Sequence, residues 1–435
     1  MRFSIRQLDF FERPVKLRMP FRFGVVTLTH APQAFVRAEI VVEDGKTSVG
    51  GAAELLAPKW FDKNPALGNE DNFEQLRDSM KAARAAYLSG DRNTSYGHSR
   101  PTVGLVENFG PALVDRALLD ALCRALGISF YEAVRKNVIG LDLAAQFLAD
   151  LQPRPEIAAR HTVGLVDPIT SSENRVNDGL PETLEEVIAR YGHRWFKLKV
   201  GGDIKADVER LSAIAAVLDR LPEYRASLDG NEQYEDASQV VELIRSIKKE
   251  ACLKRLLASI VFIEQPIKRQ KALETDVSEL CAEKPVIIDE SDDSLDAFPR
   301  AKALGYRGVS SKTCKGIYKS LINAARCKRW GEGYFMSGED LTIQAGLALQ
   351  QDLALVSLLG LAHVERNGHH YVNGMAALPA AEQKNFLDSH QDLYEFSHGA
   401  VRLHIKGGTI RMESLDCPGY ASRALPDWKT MKEMK

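Results

Sequence analysis

The chain has 435 residues, 45% of them hydrophobic and 27% charged, the balance of a globular protein large enough for one big domain and a smaller one. A formal net charge of −2 excludes the basic footprint of a nucleic-acid binder or of a protein held on anionic membranes, so the expected partner is a small molecule. The six cysteines (Cys123, Cys252, Cys281, Cys314, Cys327 and Cys417) form no C-x-x-C pair, and neither a signal-peptide core nor a membrane-length apolar run is found; reduced thiols and a cytoplasmic location are expected.

Residues 1–150 read as strands followed by helices, an α+β unit. Ile5–Phe10 alternates loosely and Ala34–Val42 alternates well. Glu43-Asp44-Gly45-Lys46-Thr47 makes a turn, and Ser48–Glu54 completes a small antiparallel meander. Asn69–Val138 is helical in period, with Leu113, Ala117, Leu118, Ala121 and Leu122 on one face. Over residues 151–375 short apolar bursts alternate with amphipathic helices. The strand candidates are Ala158–Thr162, Trp195–Val200, Arg225–Asp229, Ile260–Glu264, Val286–Asp289, Gly308–Lys312, Tyr334–Ser337 and Leu361–Val364. The helices between them include Ala206–Leu221, Ala237–Lys249, Ser294–Leu304, Gly316–Trp330 and Ile343–Leu359. Eight such units predict an α/β fold with a closed parallel barrel. The doubly wound alternative lacks a glycine-rich phosphate fingerprint, since Val200-Gly201-Gly202-Asp203 is a turn into a helix capped by Asp203. Residues 376–435 lose the repeat and are expected to return to the first unit.

Barrel enzymes carry their chemistry at the C-terminal strand ends. Read in order, those ends are Lys197-Leu198-Lys199, Asp229-Gly230-Asn231, Glu264-Gln265-Pro266, Asp289-Glu290-Ser291, Lys312 and Ser337-Gly338-Glu339. Strand alternation puts Lys197 and Lys199 on one face and Phe196, Leu198 and Val200 on the other. Three successive strands end in carboxylates, flanked on both sides by strands ending in lysine. Convergent carboxylates repel, and a hard divalent cation relieves that; all-oxygen donors favour Mg²⁺ over Zn²⁺. An acid chelated there would present its α-carbon to a lysine on each face. Nearby cations and partial burial are expected to depress the lysine pKa values toward neutrality, making bases of them. The reaction class is proton abstraction α to a carboxylate.

With these motifs spaced 30 (199 to 229), 35 (229 to 264), 25 (264 to 289) and 23 (289 to 312) residues apart, the chain resembles the enolase superfamily, specifically its muconate lactonizing enzyme subgroup. The resemblance spans nearly the whole chain. It implies a modified TIM barrel, (β/α)7β, with an α+β capping domain completed by the C-terminal segment. It implies Asp229, Glu264 and Asp289 as ligands of Mg²⁺, with Mn²⁺ as the alternative ion. Lys199 and Lys312 become opposed acid/base groups, and Lys197 an electrostatic stabiliser of a metal-held enediolate. The His-Asp pair of the mandelate racemase branch is absent. Two facing lysines favour a racemase or epimerase. The alternative is a lyase on the same scaffold: an acid-sugar dehydratase, an o-succinylbenzoate-synthase-like elimination or a cycloisomerase. A catalytically idle homologue would be marked by a lost metal ligand, and none is lost.

Candidate neighbours of the site are Asn231 and Glu290, as orienting groups or helix caps, and Glu339, against an N-cap role through Asp340. Lys315 reads as a solvated loop lysine. Glu365–Tyr371 lacks the Asp-x-Asp with which dipeptide epimerases of the family hold an ammonium group. Arg366 or His369 is a candidate for an anionic or hydroxylated substrate, set against a polar loop meeting the cap. In the cap, Pro20–Thr27 and Ala53–Pro58 occupy the positions of the family's two specificity loops, and Phe21 and Phe23 are candidate pocket walls. The chain is expected to act on a small carboxylate as a homo-oligomer, without nucleic acid or membrane.

Overall fold

The computed structural model describes residues 1–23, 26–341 and 344–434. Strands β1 (Phe3–Phe23), β2 (Val26–Val42) and β3 (Thr47–Leu55) form an antiparallel meander. The weak alternation at Ile5–Phe10 understates β1, which is 21 residues long because β2 offers it partners out to the Phe23–Val26 pair. Strand length follows the available partner more than the local pattern. Phe21, Arg22 and Phe23 are therefore strand residues paired with Leu28, Thr27 and Val26, not the loop expected over Pro20–Thr27. Gly24 and Val25 of that stretch lie outside the described residues. Helices Asn69–Leu88 and Leu105–Leu126 cover the meander. A Cβ at Gly50 would collide with the backbone of Ala117 and Ala121, so glycine is what lets the second helix lie directly on β3.

The repeating stretch closes into a barrel. Its strands are β4 (Glu156–Val163), β5 (Trp195–Lys199), β6 (Arg225–Asp229), β7 (Ile260–Glu264), β8 (Val286–Ile288), β9 (Gly308–Ser311), β10 (Phe335–Gly338) and β11 (His363–Glu365). Neighbours pair in parallel, and β11 returns to β4 through His363–Ala158 and Glu365–Arg160. The eight apolar bursts are these eight strands, with ends shifted by a residue or two, as frayed element ends are. The last helix of the repeat is Leu347–Leu358; Ile343, its expected start, lies outside the described residues.

Strand β5 shows how the pattern builds the site. Phe196 and Leu198, with Val200 just beyond, belong to one buried apolar cluster with Leu211, Ile214 and Leu218 of helix Ile204–Leu218. Each such burial stabilises by roughly 2 kcal/mol. That fixes Lys197 and Lys199 to the barrel interior, where both are buried. The helix begins at Asp203, whose Oδ1 accepts from the Ala206 amide at 3.1 Å.

The C-terminal residues touch both units. Strands β12 (Tyr394–Ser397) and β13 (Ala400–Leu403) form a hairpin, β14 (Thr409–Arg411) lies antiparallel on the start of β4, and β15 (Lys432–Glu433) pairs with Phe11 and Glu12 of β1. Among the described residues, no helix is long and apolar enough to cross a membrane.

Candidate active site

Lys199, Asp229 and Glu264 stand in register across β5, β6 and β7, so parallel pairing brings three strand ends together without help from loops. Lys197 sits one pleat deeper, and its exposure is 1%. Its Nζ lies 2.8 Å from Asp229 Oδ2, 2.8 Å from Glu264 Oε2, 2.7 Å from Glu339 Oε2 and 2.9 Å from Glu365 Oε2. Lys199 Nζ lies 2.5 Å from Asp229 Oδ2, and Lys312 Nζ lies 2.6 Å from Asp289 Oδ2. Lys199 and Lys312 come from strands four apart in a ring of eight, hence from opposite walls, and both line one cleft under the cap.

These contacts reverse the expected direction for two lysines. Burial opposes the charge of Lys197, but Asp229, Glu264, Glu339 and Glu365 together hold its ammonium well above the ordinary lysine range. Lys312 is likewise raised, burial being outweighed by Asp289. The sequence shows the lysines as mutually repelling neighbours. In the fold each has a carboxylate oxygen within 2.8 Å of its ammonium nitrogen.

The carboxylates split by partner. Burial raises all of them, yet Lys197 and Lys199 pull Asp229 below its usual range, and Lys312 and Lys315 pull Asp289 well below. Glu264 goes the other way, pushed well up by burial and by Asp229 and Glu339 beside it. Its Oε1 has no hydrogen-bond partner, nor do the buried Asn231 Oδ1 and Glu290 Oε2. Unpartnered buried oxygens on adjacent strand ends suit a hard divalent cation, and the donor set is all oxygen. Among the described residues, however, no three His, Cys, Asp or Glu side chains are drawn into a ready metal cluster, because the lysine ammonium groups hold the oxygens of Asp229 and Asp289.

The backbone between the ligand candidates is unusually bent. Asn231, Glu232 and Gln265 have φ of 41°, 68° and 31°, a left-handed region costly for side-chain-bearing residues and concentrated at functional sites. The bend lets the Asn231 amide donate to Asp229 Oδ1 at 2.9 Å, and Gln265 Oε1 accept from the Asp289 and Ser291 amides at 2.8 and 3.0 Å. Asn231 Nδ2 also reaches Glu290 Oε1 at 3.4 Å.

Other candidates fall in distinct places. Glu339 is buried in the barrel, where it bonds Lys197, Ser337 Oγ at 2.6 Å and Arg160; burial notwithstanding, Arg160 and Lys197 hold it down at about 2, while Gly346, not Asp340, stands at the N-cap position of helix Leu347–Leu358. Phe21 and Phe23 line the cleft with Leu28, Leu55, Ala57 and Trp60. Arg366 does not line it; the guanidinium is paired with Asp340 and Asp352. His369 is buried against the Tyr191 hydroxyl, 2.8 Å from Nδ1. Lys315 is not solvated but 1% exposed, with Nζ 2.7 Å from Ser310 Oγ, 3.0 Å from Asp292 Oδ2 and 3.4 Å from Asp289 Oδ1. Glu365 is missed when motifs alone are read, though it ends the eighth strand and the strand-end rule reaches it. Arg160 carries no such signal, since it lies mid-strand.

The family model for enolase C-terminal domain-like proteins matches residues 179–421. No curated protein matches the chain by sequence. Among solved structures, N-succinyl Arg/Lys racemase from Bacillus cereus ATCC 14579 is similar at 16% identity and TM-score 0.66, covering 98% of this chain and 96% of that one. Muconate lactonizing enzyme from Pseudomonas fluorescens, complexed with muconolactone, is similar at 16% identity and TM-score 0.61, covering 98% and 97%. An enolase superfamily member from Roseovarius nubinhibens ISM, complexed with magnesium, gives 17% identity and TM-score 0.60, covering 100% and 99%. With over half its length matched by the family model, and with its strand-end lysines and carboxylates gathered at the mouth of a closed barrel, this chain belongs to the enolase C-terminal domain-like family.

Proposed function

We propose that this protein removes the proton α to a substrate carboxylate and returns it on the opposite face, as a racemase or epimerase, with Mg²⁺ (or Mn²⁺) as cofactor. The observation that supports this reading is the pair of buried lysines, Lys199 and Lys312, on opposite walls of one cleft, each seated on a carboxylate. Held by Asp229, Glu264 and Asp289, the cation would supply Lewis-acid stabilisation to the substrate carboxylate.

The chain's own groups supply the rest. Lys199 Nζ and Lys312 Nζ exchange the α-proton, one as amine and the other as ammonium, and inversion needs both roles. Asp289 favours the ammonium form of Lys312, so the amine forms when that carboxylate is engaged elsewhere. Lys197, held cationic by four carboxylates, is a fixed positive charge near the developing negative charge. Phe21, Phe23, Leu28 and Trp60 roof the cleft and keep water from the reacting carbon.

The test is incubation with Mg²⁺ and a library of acid sugars, amino acid derivatives and dipeptides in D₂O, followed by mass and α-proton spectra. Deuterium incorporation with inversion is expected. Loss of the mass of water, or ring closure, would move the assignment to the lyase alternative, and no exchange with any acid would remove both.

A further inference from the structure

Each proton-transfer lysine is faced by an aromatic ring from the cap. The Phe21 ring centroid lies 5.9 Å from Lys199 Nζ, and the Trp60 centroid lies 4.3 Å from Lys312 Nζ. The two rings are held differently. Phe21 sits on a paired strand and touches Phe23 and Tyr371, with centroids 5.3 and 4.3 Å away. Trp60 belongs to the irregular segment between β3 and helix Asn69–Leu88, where no sheet positions it.

That segment is instead tied to the barrel by one charged knot. Arg269, beyond β7, donates to the Trp60 carbonyl at 2.8 Å and to the Phe61 carbonyl at 2.7 Å. The same guanidinium grips Glu232 through Nε to Oε1 and a second nitrogen to Oε2, both at 2.8 Å. Lys63 closes the knot, 2.5 Å from Glu232 Oε2, 2.7 Å from the Asn231 carbonyl and 3.2 Å from Glu290 Oε1. Glu232 is 5% exposed and stands in the left-handed turn just past the end of β6, so the knot is anchored to the bent backbone beside Asp229.

We infer that Glu232 and Arg269 are positioning residues that hold Trp60 against Lys312, and so govern proton transfer on the Lys312 face while leaving the Lys199 face to Phe21. A bidentate guanidinium–carboxylate pair that also takes two successive carbonyls fixes the loop backbone in direction as well as distance. Opening the knot frees Trp60 and exposes one lysine only. The reaction-side consequence rests on the acid/base roles proposed above; the geometric claim does not.

The experiment is therefore run first without substrate. Full-length wild type, Arg269→Ala, Glu232→Gln and Trp60→Ala are treated briefly with acetic anhydride, and acetylation of Lys312 and Lys199 is read by peptide mass spectrometry. All three variants should raise Lys312 labelling by roughly tenfold relative to Lys199, the scale of a local opening made easier by one lost anchor. Glu232→Gln keeps shape and volume, which covers a failure of Arg269→Ala to fold. An unchanged Lys312-to-Lys199 ratio in the folded variants overturns the inference, whether both lysines rise together or neither does. With an exchanging acid in hand, Arg269→Ala should slow the exchange that Lys312→Met abolishes by on the order of tenfold or more, with the other enantiomer little affected. Equal slowing of both enantiomers overturns the face assignment. If no acid exchanges, the labelling result still decides the positioning claim.

Discussion

Lys197 is the residue on which the site's charge balance turns. Four carboxylates share its ammonium, so Lys197→Met would leave them repelling one another in a buried space. Removing one partner from a buried ionic cluster costs about 3–5 kcal/mol. Urea unfolding should show a loss of that order in Mg²⁺-free buffer, narrowing when Mg²⁺ is added because a cation restores part of the lost charge. Asp115 in the cap gives a prediction of opposite character. Burial lifts it to about 7, against hydrogen bonds from Ser99 and Tyr87 that lower it. A folded-state pKa above the unfolded one means that the native chain binds the extra proton. Asp115 therefore favours folding most below about pH 4, and that contribution is lost as pH rises to about 7 and beyond. Asp115→Asn should flatten the wild-type decline in stability between about pH 4 and 7, as read from urea midpoints at each pH.

At the scale of elements, the strand ends carried most of what the sequence could tell. The period of the apolar bursts marks eight strands because parallel barrel strands are buried on both faces, and strand alternation turns Lys197 and Lys199 inward. What local pattern does not encode is pairing across distance. Lys315 reads as a loop lysine until Asp289 and Asp292 are seen around it, and Arg366 stays open between a substrate contact and a polar loop meeting the cap until Asp340 and Asp352 are. The knot at Arg269 escapes the sequence for the same reason, since its partners Glu232 and Phe61 lie 37 and 208 residues away along the chain. Gln265 shows how a short motif becomes legible only in three dimensions. Its side-chain oxygen accepts the amides of Asp289 and Ser291, joining the ends of β7 and β8. Gln265→Ala would leave two buried amides unpaired, at roughly 1–3 kcal/mol each, and let Asp289 drift. Calorimetric titration should show Mg²⁺ binding weakened by about 10- to 100-fold, the range for lost orienting partners of a ligand.

For the whole molecule, the cap and the barrel together make the reaction chamber. The barrel brings lysines and carboxylates to its mouth, and the cap covers them with Phe21, Phe23 and Trp60. A cation that binds only the folded chain stabilises it by mass action, about 2.7 kcal/mol at a hundred times its dissociation constant. Thermal unfolding should accordingly move upward with Mg²⁺, and less so in Asp289→Asn. The most direct measurement of the central claim is the α-proton exchange of each enantiomer of a responsive acid in D₂O, with wild type, Lys199→Met and Lys312→Met. Wild type should exchange and interconvert both enantiomers, and each variant should lose exchange of one enantiomer while retaining the other. Retention of both exchanges in either variant, or loss of the same enantiomer in both, would contradict it.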